Sequence, residues 1–251
     1  MRFHRVAIVA FSLTCIAAIA AAQSATHWDY RGKYGPLMWG KLDSAYRTCS
    51  EGREQSPIDI RGAHRNKALR PIEFHYISGA VTLENDGHTI VVHVNPGSYI
   101  LANGVRYDLE YYNFHSPSEA AVNGRLSDMD VELTHKSADG KLAVVTVRLA
   151  ENQDAPNATL ATLWQHLPMT TGAREKITEM VNAGGLLPAE RGYWTYMGSL
   201  STPPCTEGVR WFVLEQQVSL SRDQLRMFTA LFKINSRPLQ DPHGRRIEAN
   251  E

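Results

Sequence analysis

Turn signals rich in Asn, Asp and Gly separate short apolar runs through the middle of this 251-residue chain. Three of them have an apolar run on each side: Asn85-Asp86-Gly87 between 81–84 and 89–94, Ala102-Asn103-Gly104 between 98–101 and 105–112, and Ser137-Ala138-Asp139-Gly140 between 131–136 and 142–149. Asn and Gly supply the positive φ angles that tight hairpin turns require. The pattern therefore predicts successive β-hairpins and a mostly β fold.

Helical signals are few and short. Three segments carry them: 159–166, 174–181 and 221–233. In the last segment Ser221 and Gln224 predict a capping box, and Leu225 and Phe228 share the apolar face. No repeat, linker or break in composition divides residues 23–251. We therefore expect a single β domain over 23–251 with short peripheral helices.

The N-terminus is typical of a secretory signal. Arg2 and Arg5 precede an apolar run from Val6 to Ala22, which ends in three alanines suited to cleavage before Gln23. We expect residues 1–22 to be removed as a signal peptide, the mature protein to be periplasmic or secreted, and no membrane segment to remain in it. The alternative is an uncleaved membrane helix at the N-terminus.

Cysteine use and charge agree with an exported globular protein. Loss of residues 1–22 removes Cys15 and leaves Cys49 and Cys205, an even pair that an oxidising compartment would join in one disulfide. Two unpaired thiols are the alternative.

The net charge gives no sign of a polyanionic partner. The 26 basic and 26 acidic residues balance to a formal net charge of +0. We therefore expect binding neither to nucleic acid nor to an anionic membrane.

One histidine lies in a polar pattern on two successive predicted strands. Side chains two apart on a strand share a face, so Asn113 lies with His115, and Glu132 lies with Thr134 on the next strand. Three protein ligands on paired strands can hold a catalytic zinc that keeps one position for water. A buried histidine is more often a hydrogen-bonded core residue, so the spacing alone leaves both interpretations open.

Ordered motifs along nearly the whole mature chain resemble those of the α-class carbonic anhydrases. They are Gln55-Ser56-Pro57-Ile58-Asp59-Ile60, Asn85-Asp86-Gly87-His88, Phe114-His115-Ser116-Pro117-Ser118-Glu119, 198–211 and Asn235-Ser236-Arg237-Pro238. The resemblance implies a large, twisted, mainly antiparallel sheet with an active-site cone, a zinc cofactor, and CO₂ and bicarbonate as substrate and product. It also implies a bridge between Cys49 and Cys205.

Position by position, the resemblance implies an altered metal site. His115 falls on the second of three zinc-ligand positions, while Asn113 and Glu132 stand where the first and third histidines belong. An amide oxygen is a weak donor beside imidazole, and a glutamate lowers the net positive charge at the metal. His135 faces the other side of its strand, and His93 lies toward the cone rim. We therefore expect zinc to bind weakly, if at all.

The rest of the family's site is partly kept. The resemblance carries catalytic roles to four residues: Glu119 and Ser201, which would orient a zinc-bound hydroxide, His88, which would shuttle the proton, and Thr202. It also predicts an apolar pocket wall at Val144, Leu200 and Trp211. Around the ligands, three positions depart from the family pattern: Tyr111, Ala120 and Asp130. Loss of such supporting residues lowers metal affinity or activity by about 10- to 100-fold.

Two functions fit these residues. The one we favour is an exported carbonic-anhydrase-like protein with little or no CO₂ hydratase activity, kept as a binding or structural module. The alternative is a functional carbonic anhydrase with a weakened or altered metal site. Unrelated chemistry in the cone has no support from a catalytic triad or a phosphate loop. No protein partner is predicted.

Overall fold

A computed structural model describes residues 26–250, and most of its regular structure is β. The elements follow the chain in this order: α1 (Trp39–Leu42), α2 (Thr48–Glu51), β1 (Asp59–Ile60), β2 (His64–Arg65), β3 (Glu73–His75), β4 (Gly79–Asn85), β5 (Ile90–Val94), β6 (Tyr99–Ala102), β7 (Val105–His115), β8 (Ala121–Val122), β9 (Met129–Ser137), β10 (Leu142–Glu151), α3 (Ala158–Trp164), β11 (Arg174–Val181), β12 (Tyr193–Ser199), β13 (Glu207–Leu214), β14 (Val218–Leu220), α4 (Arg222–Leu231) and β15 (Glu248–Ala249). Short 3-10 helices span Gly32–Tyr34, Ser44–Tyr46 and Ala183–Leu186. The predicted signal peptide, 1–22, lies outside the described residues.

A sheet of thirteen strands forms the body of the described chain. Its order is β11-β4-β5-β7-β9-β10-β13-β12-β15-β2, with β6 and then β3 beside β7, and β14 beside β10. Its strand pairs are antiparallel except β10 with β13, β10 with β14, and β15 with β2. The prediction of a mostly β fold with a large, mainly antiparallel sheet is confirmed. Between 26 and 250, no helix has the length and apolar character needed to cross a membrane.

The three predicted hairpins are confirmed. Strands β4 and β5, β6 and β7, and β9 and β10 pair in antiparallel register across their turns. At the second turn Asn103 and Gly104 both have positive φ, at 50° and 82°. That conformation suits a two-residue hairpin turn and favours the Asn-Gly pair found there.

Two of the three predicted helices form, and the third is a strand. Helices α3 and α4 correspond to 159–166 and 221–233, and the capping box of Ser221 with Gln224 is present. The prediction of a helix over 174–181 is wrong, because this segment is the edge strand β11, paired with β4. Its two buried residues, Ile177 and Val181, are four apart, a spacing that fits either periodicity.

Strand β7 separates the main core from the opposite face of the sheet. Tyr112 and Phe114 point into the core, where Phe114 packs edge-on against Trp164 of α3 with ring centroids 4.8 Å apart. Phe228 of α4 stacks on the same tryptophan at 5.9 Å. Side chains alternate along a strand, so the residues on either side of Phe114 point away from these helices. His115 is one of them.

The predicted disulfide between Cys49 and Cys205 is present. Its surroundings tie distant segments together, since Arg237 Nη2 donates to the Cys49 carbonyl at 2.9 Å and Gln55 Nε2 donates to the Cys205 carbonyl at 3.1 Å. Arg237 Nη1 also donates to the Ser56 carbonyl at 2.7 Å. The disulfide therefore anchors the loop after β12 to the segment before β1.

Removal of the disulfide is expected to destabilise the fold. The bridge closes a loop with a sequence separation of 156, so Cys49→Ser with Cys205→Ser should lower the free energy of unfolding by about 2–5 kcal/mol. Urea unfolding followed by tryptophan fluorescence measures the change, with reduced wild-type protein as the matched control. Unfolding of the double variant at the same urea concentration as oxidised wild-type protein would contradict the expectation.

Candidate functional site

The register between β7 and β9 assembles the floor of a cavity. Asn113 lies directly across from Glu132, and His115 lies across from Asp130. Asn113, His115 and Glu132 all line a cavity of about 280 Å³ on the face of the sheet opposite the main core. We call this cavity the cone. Two adjacent strands thus bring together the three residues at the predicted metal-ligand positions.

The cone contains most of the predicted site residues. Those that line it are His88, Asn113, His115, Glu132, Val144, Leu200, Ser201, Thr202 and Trp211. Glu119 is buried outside the lining, with its Oε1 3.7 Å from His115 Nδ1. Trp28, Tyr30, Tyr111 and Thr134 also line the cone, and the sequence analysis assigned no lining role to them.

The His115 imidazole is engaged by the protein at both nitrogens. Its Nδ1 lies 2.6 Å from the Asn235 carbonyl oxygen, which only accepts, so Nδ1 carries the hydrogen. Nε2 is then the acceptor of the neutral ring, and Asn113 Nδ2 donates to it at 2.7 Å. The ring is fully buried. The nitrogen that faces the cone therefore has its lone pair occupied by an amide hydrogen.

Asn235 fixes the carbonyl that holds His115. Its side-chain Nδ2 donates to the carbonyl oxygens of His88 at 3.0 Å and Phe114 at 2.9 Å. Its Oδ1 accepts from the Ser116 N–H at 2.8 Å. Sequence reasoning gave Asn235 no role, although the motif 235–238 was part of the family resemblance. Asn235 is buried and lies after α4, far from β7 in sequence, so no local pattern points to its role. Only its membership of the family motif could have indicated it.

Three carboxyl groups are buried around His115. Glu119 Oε1 accepts from the Arg237 backbone N–H at 2.9 Å, and Asp130 Oδ2 accepts from the Glu119 N–H at 2.8 Å. Glu132 Oε2 lies 3.6 Å from His115 Nε2. The second oxygen of each carboxyl group has no hydrogen-bond partner among the described residues. Such crowding of buried carboxyl groups disfavours their charged forms.

Burial decides where protons lie in this cluster. It raises the pKa of Glu132 well above the ordinary value, and the negative charges of Glu119 and Asp130 raise it further. Burial also raises the pKa of Asp130 to about 7; the interaction with His115 opposes this rise, and the negative charge of Glu119 adds to it. Burial and the neighbouring negative charges therefore favour a neutral Glu132 carboxyl group at the cone floor.

These residues do not fit the three-imidazole zinc centre that the family resemblance implies. Ligand atoms of His115, Glu119 and Glu132 lie within 4.8 Å of one another. However, a metal at His115 would have to displace the Asn113 amide from Nε2, because Nδ1 donates to a carbonyl. Zinc also requires a deprotonated carboxylate, whereas burial and two neighbouring carboxyl groups favour the protonated form of Glu132. The donor set supports a hydrogen-bonded cluster instead.

The three departures around the ligands lie in different surroundings. Tyr111 lines the cone and Asp130 is buried beside Glu119, whereas Ala120 packs into an apolar cluster with Ile58 and Trp211. A histidine at position 120 would add a polar ring to that apolar cluster. Tyr111 and Asp130 are therefore close to the cone floor, whereas position 120 belongs to the apolar cluster beside it.

Three other histidines, His88, His93 and His135, have partners of their own. His88 stacks on Trp28 with ring centroids 3.7 Å apart and an interplanar angle of 7°, and burial lowers its pKa. His93 Nε2 lies 2.7 Å from Glu84 Oε2, so it pairs with Glu84 rather than joining the cluster. His135 is on the opposite face, where its Nε2 is 2.8 Å from the Tyr76 hydroxyl and burial lowers its pKa to about 4.

The loop between β12 and β13 forms the other wall of the cone. Leu200 N–H donates to the Thr206 carbonyl and Cys205 N–H to the Thr202 carbonyl, both at 2.9 Å. Trp211 Nε1 donates to the Ser199 carbonyl at 2.9 Å. The disulfide partner Cys205 thus lies within the loop that presents Ser201 and Thr202 to the cavity.

A large, mainly antiparallel sheet with such a cone on one face defines the class of α-type carbonic anhydrase folds. The model of the eukaryotic-type carbonic anhydrase family matches residues 34–251. A carbonic anhydrase from Klebsiella pneumoniae is 40% identical over 224 residues, which cover 88% of this chain and 90% of the relative. The chain therefore belongs to the carbonic anhydrase family, whose enzymes are lyases.

Solved structures agree with this family. The α-carbonic anhydrase from Thermovibrio ammonificans, in complex with the inhibitor sulfanilamide, matches with a TM-score of 0.86 at 36% identity and covers 90% of this chain and 100% of that one. Dioscorin complexed with ascorbate matches with a TM-score of 0.83 at 29% identity and covers 89% of this chain and 97% of that one.

Stability is expected to fall as pH rises through the range in which Asp130 titrates. Its pKa is about 7 in the folded protein against an ordinary 3.8, so the folded state binds more protons than the unfolded chain between these values. The free energy of unfolding then decreases with pH, by up to about 1.4 kcal/mol per pH unit for one proton. Asp130→Asn cannot titrate and should flatten this slope.

Urea unfolding at intervals from about pH 4 to pH 8 measures the slope in both proteins. Asp154→Asn makes the same chemical change at an exposed position and is the matched control. An unchanged slope in Asp130→Asn would show that this carboxyl group is not protonated preferentially in the folded state.

Proposed function

We propose that this chain is an exported member of the carbonic anhydrase family with little or no CO₂ hydratase activity, in which the cone is kept as a small-molecule-binding pocket. The hydrogen bond from Asn113 Nδ2 to His115 Nε2, at 2.7 Å, carries this proposal. It occupies the lone pair that a metal at His115 would need. Hydration of CO₂ at the family's rate depends on a metal ion that lowers the pKa of bound water.

The cluster around His115 supports the same conclusion. Glu132 lies 3.6 Å from His115 Nε2, and its burial beside two other carboxyl groups favours its protonated form. A neutral carboxyl group is a poor metal ligand but can both donate and accept a hydrogen bond. With the Asn113 amide, it gives the cone floor neutral groups that suit a polar organic ligand.

The shape of the cone supports ligand binding. Apolar walls at Val144, Leu200 and Trp211 with a small polar floor are typical of small-molecule sites, and the volume of about 280 Å³ lies just below their usual range of about 300–1,000 Å³, which suits a small ligand. Dioscorin, a structural relative, was solved in complex with ascorbate. A protein of this fold can therefore bind a small organic molecule, which favours a binding role for the chain over a purely structural one.

A functional carbonic anhydrase with a weakened or altered metal site is the alternative. The presence of Ser201 and Thr202 in the cone, with Glu119 close to His115, favours it. In our proposal Glu119 instead accepts from the Arg237 N–H, and His88, the expected proton shuttle, stacks on Trp28. The two functions differ in whether the mature protein holds zinc.

Metal analysis and kinetics of the mature protein separate these functions. We expect zinc well below one equivalent per chain after incubation with excess zinc and dialysis, and CO₂ hydration by stopped flow close to the uncatalysed rate. Asn113→His with Glu132→His should gain zinc, because it removes the amide from Nε2 and supplies two imidazoles on adjacent strands. Elemental analysis of each protein gives the stoichiometry.

The matched control is Asn113→Ala with Glu132→Ala, which removes the same amide and acid but supplies no imidazole. It should stay free of zinc. Stoichiometric zinc together with fast hydration in the unmodified protein would overturn the proposal and establish the alternative. Zinc in the histidine variant but not in the alanine variant would show that the scaffold is sound and that these two positions prevent metal binding.

A further inference from the structure

The orientation of the Asn113 amide follows from the tautomer of His115. Because His115 Nδ1 carries the hydrogen, Nε2 is an acceptor, and the amide turns its Nδ2 toward it at 2.7 Å. Asn113 Oδ1 is therefore directed away from that nitrogen. No described residue donates to this oxygen. The oxygen is also not enclosed, since Asn113 is only partly buried and lines the cone.

An accessible acceptor at the floor of a pocket discriminates between ligands. A ligand that places an N–H or O–H group against Asn113 Oδ1 forms a hydrogen bond with it. A ligand of the same shape that places a methyl group there removes the oxygen from water without a partner, which should lower affinity by at least about 5-fold. Asn113 therefore favours ligands that carry a donor.

The charge of the lining disfavours anions. Among residues 26–250, no lysine or arginine lines the cone, whereas the exposed Asp86 does. The three buried carboxyl groups lie at or beside its floor. The guanidinium of Arg237 is engaged elsewhere, because it donates to the Cys49 and Ser56 carbonyls. An anionic ligand would therefore lose its hydration without gaining a positive partner.

The loop between β12 and β13 offers hydroxyl groups and an apolar surface. Ser201 and Thr202 line the cone, and neither hydroxyl is hydrogen-bonded to another described residue. Each hydroxyl can donate to an acceptor of the ligand. Val144, Leu200 and Trp211 supply the apolar surface. A ligand with an apolar ring, an N–H donor and a carbonyl acceptor complements all of these groups.

We propose that the cone binds a small, uncharged amide attached to an apolar ring, with Asn113 Oδ1 accepting its N–H and the Ser201 or Thr202 hydroxyl donating to its carbonyl. A carboxamide carries both groups, whereas an ammonium or amidinium ion has donors only and a carboxylate acceptors only. A cavity of about 150 Å³ in another protein binds benzene, so about 280 Å³ accommodates one six-membered ring with this substituent. The inference rests on the proposed function, because a metal at His115 would displace the Asn113 amide.

Three probes of nearly the same shape test this ligand class by methyl NMR of the mature protein. They are benzamide, acetophenone, in which a methyl group replaces the amide nitrogen, and benzoate, which is an anion. Benzamide should shift the methyl resonances of Val91, Val144 and Leu200 in a saturable way. Acetophenone should bind at least about 5-fold more weakly, and benzoate at least about 10-fold more weakly because it meets like charges.

Asn113→Leu removes the acceptor and keeps a side chain of similar shape over His115. In this variant benzamide should lose its advantage and bind within about 2-fold of acetophenone. Asn152→Leu makes the same change at an exposed position and should keep the preference for benzamide. Thermal unfolding shows whether each variant is folded, and the comparison of the three probes in the unmodified protein does not depend on either variant.

Equal affinity for benzamide and acetophenone in the unmodified protein would overturn the inference. So would benzoate that binds as tightly as benzamide, or the absence of saturable shifts at the cone methyl groups. The zinc content of the same sample separates this result from the proposed function. Stoichiometric zinc with fast CO₂ hydration overturns both, whereas weak benzamide binding to a protein without zinc overturns only the class of ligand.

Discussion

The His115 ring is hydrogen-bonded by the protein at both nitrogens, and the cone floor is arranged around that fixed ring. The Asn235 carbonyl that accepts from Nδ1 is itself fixed, because the Asn235 amide bonds backbone groups on two sides. Two residues later, Arg237 donates to Glu119 through its backbone and to the Cys49 carbonyl through its guanidinium. The segment after α4 therefore orients both the histidine and the neighbouring carboxylate, and links them to the disulfide.

The electrostatics of the cone follow from the same arrangement. Three negative charges in one buried site would be costly, and burial raises the pKa values of Glu132 and Asp130, which favours their protonated forms. A protonated carboxyl group beside an amide offers a ligand neutral donors and acceptors. A metal centre would instead need free lone pairs and deprotonated acids. In our proposal the family's backbone scaffold therefore carries a hydrogen-bonding floor in place of a metal centre.

Local rules account for most of what the sequence predicted about the fold. Alternation and Asn-Gly turns depend on neighbouring residues, so the hairpins were predictable, whereas β11 was not, because Ile177 and Val181 fit both periodicities. The position of the candidate site could be predicted only from the motifs that resemble a known family. The bond from His115 to Asn235 joins residues 120 apart, and no local pattern encodes it. The cavity lined by Val81, Val94, Tyr112 and Val181 likewise forms only when β4, β5, β7 and β11 are assembled.

The state of His115 Nε2 decides between a hydrogen-bonded cone and a metal-binding one, and nitrogen NMR of the imidazole ring reports it directly. With specifically labelled histidine, we expect Nδ1 to be protonated and Nε2 to be unprotonated and coupled to the Asn113 amide. One equivalent of zinc should leave both resonances unchanged. A shift of the Nε2 resonance at stoichiometric zinc, with loss of the coupling to Asn113, would contradict a cone closed to metal.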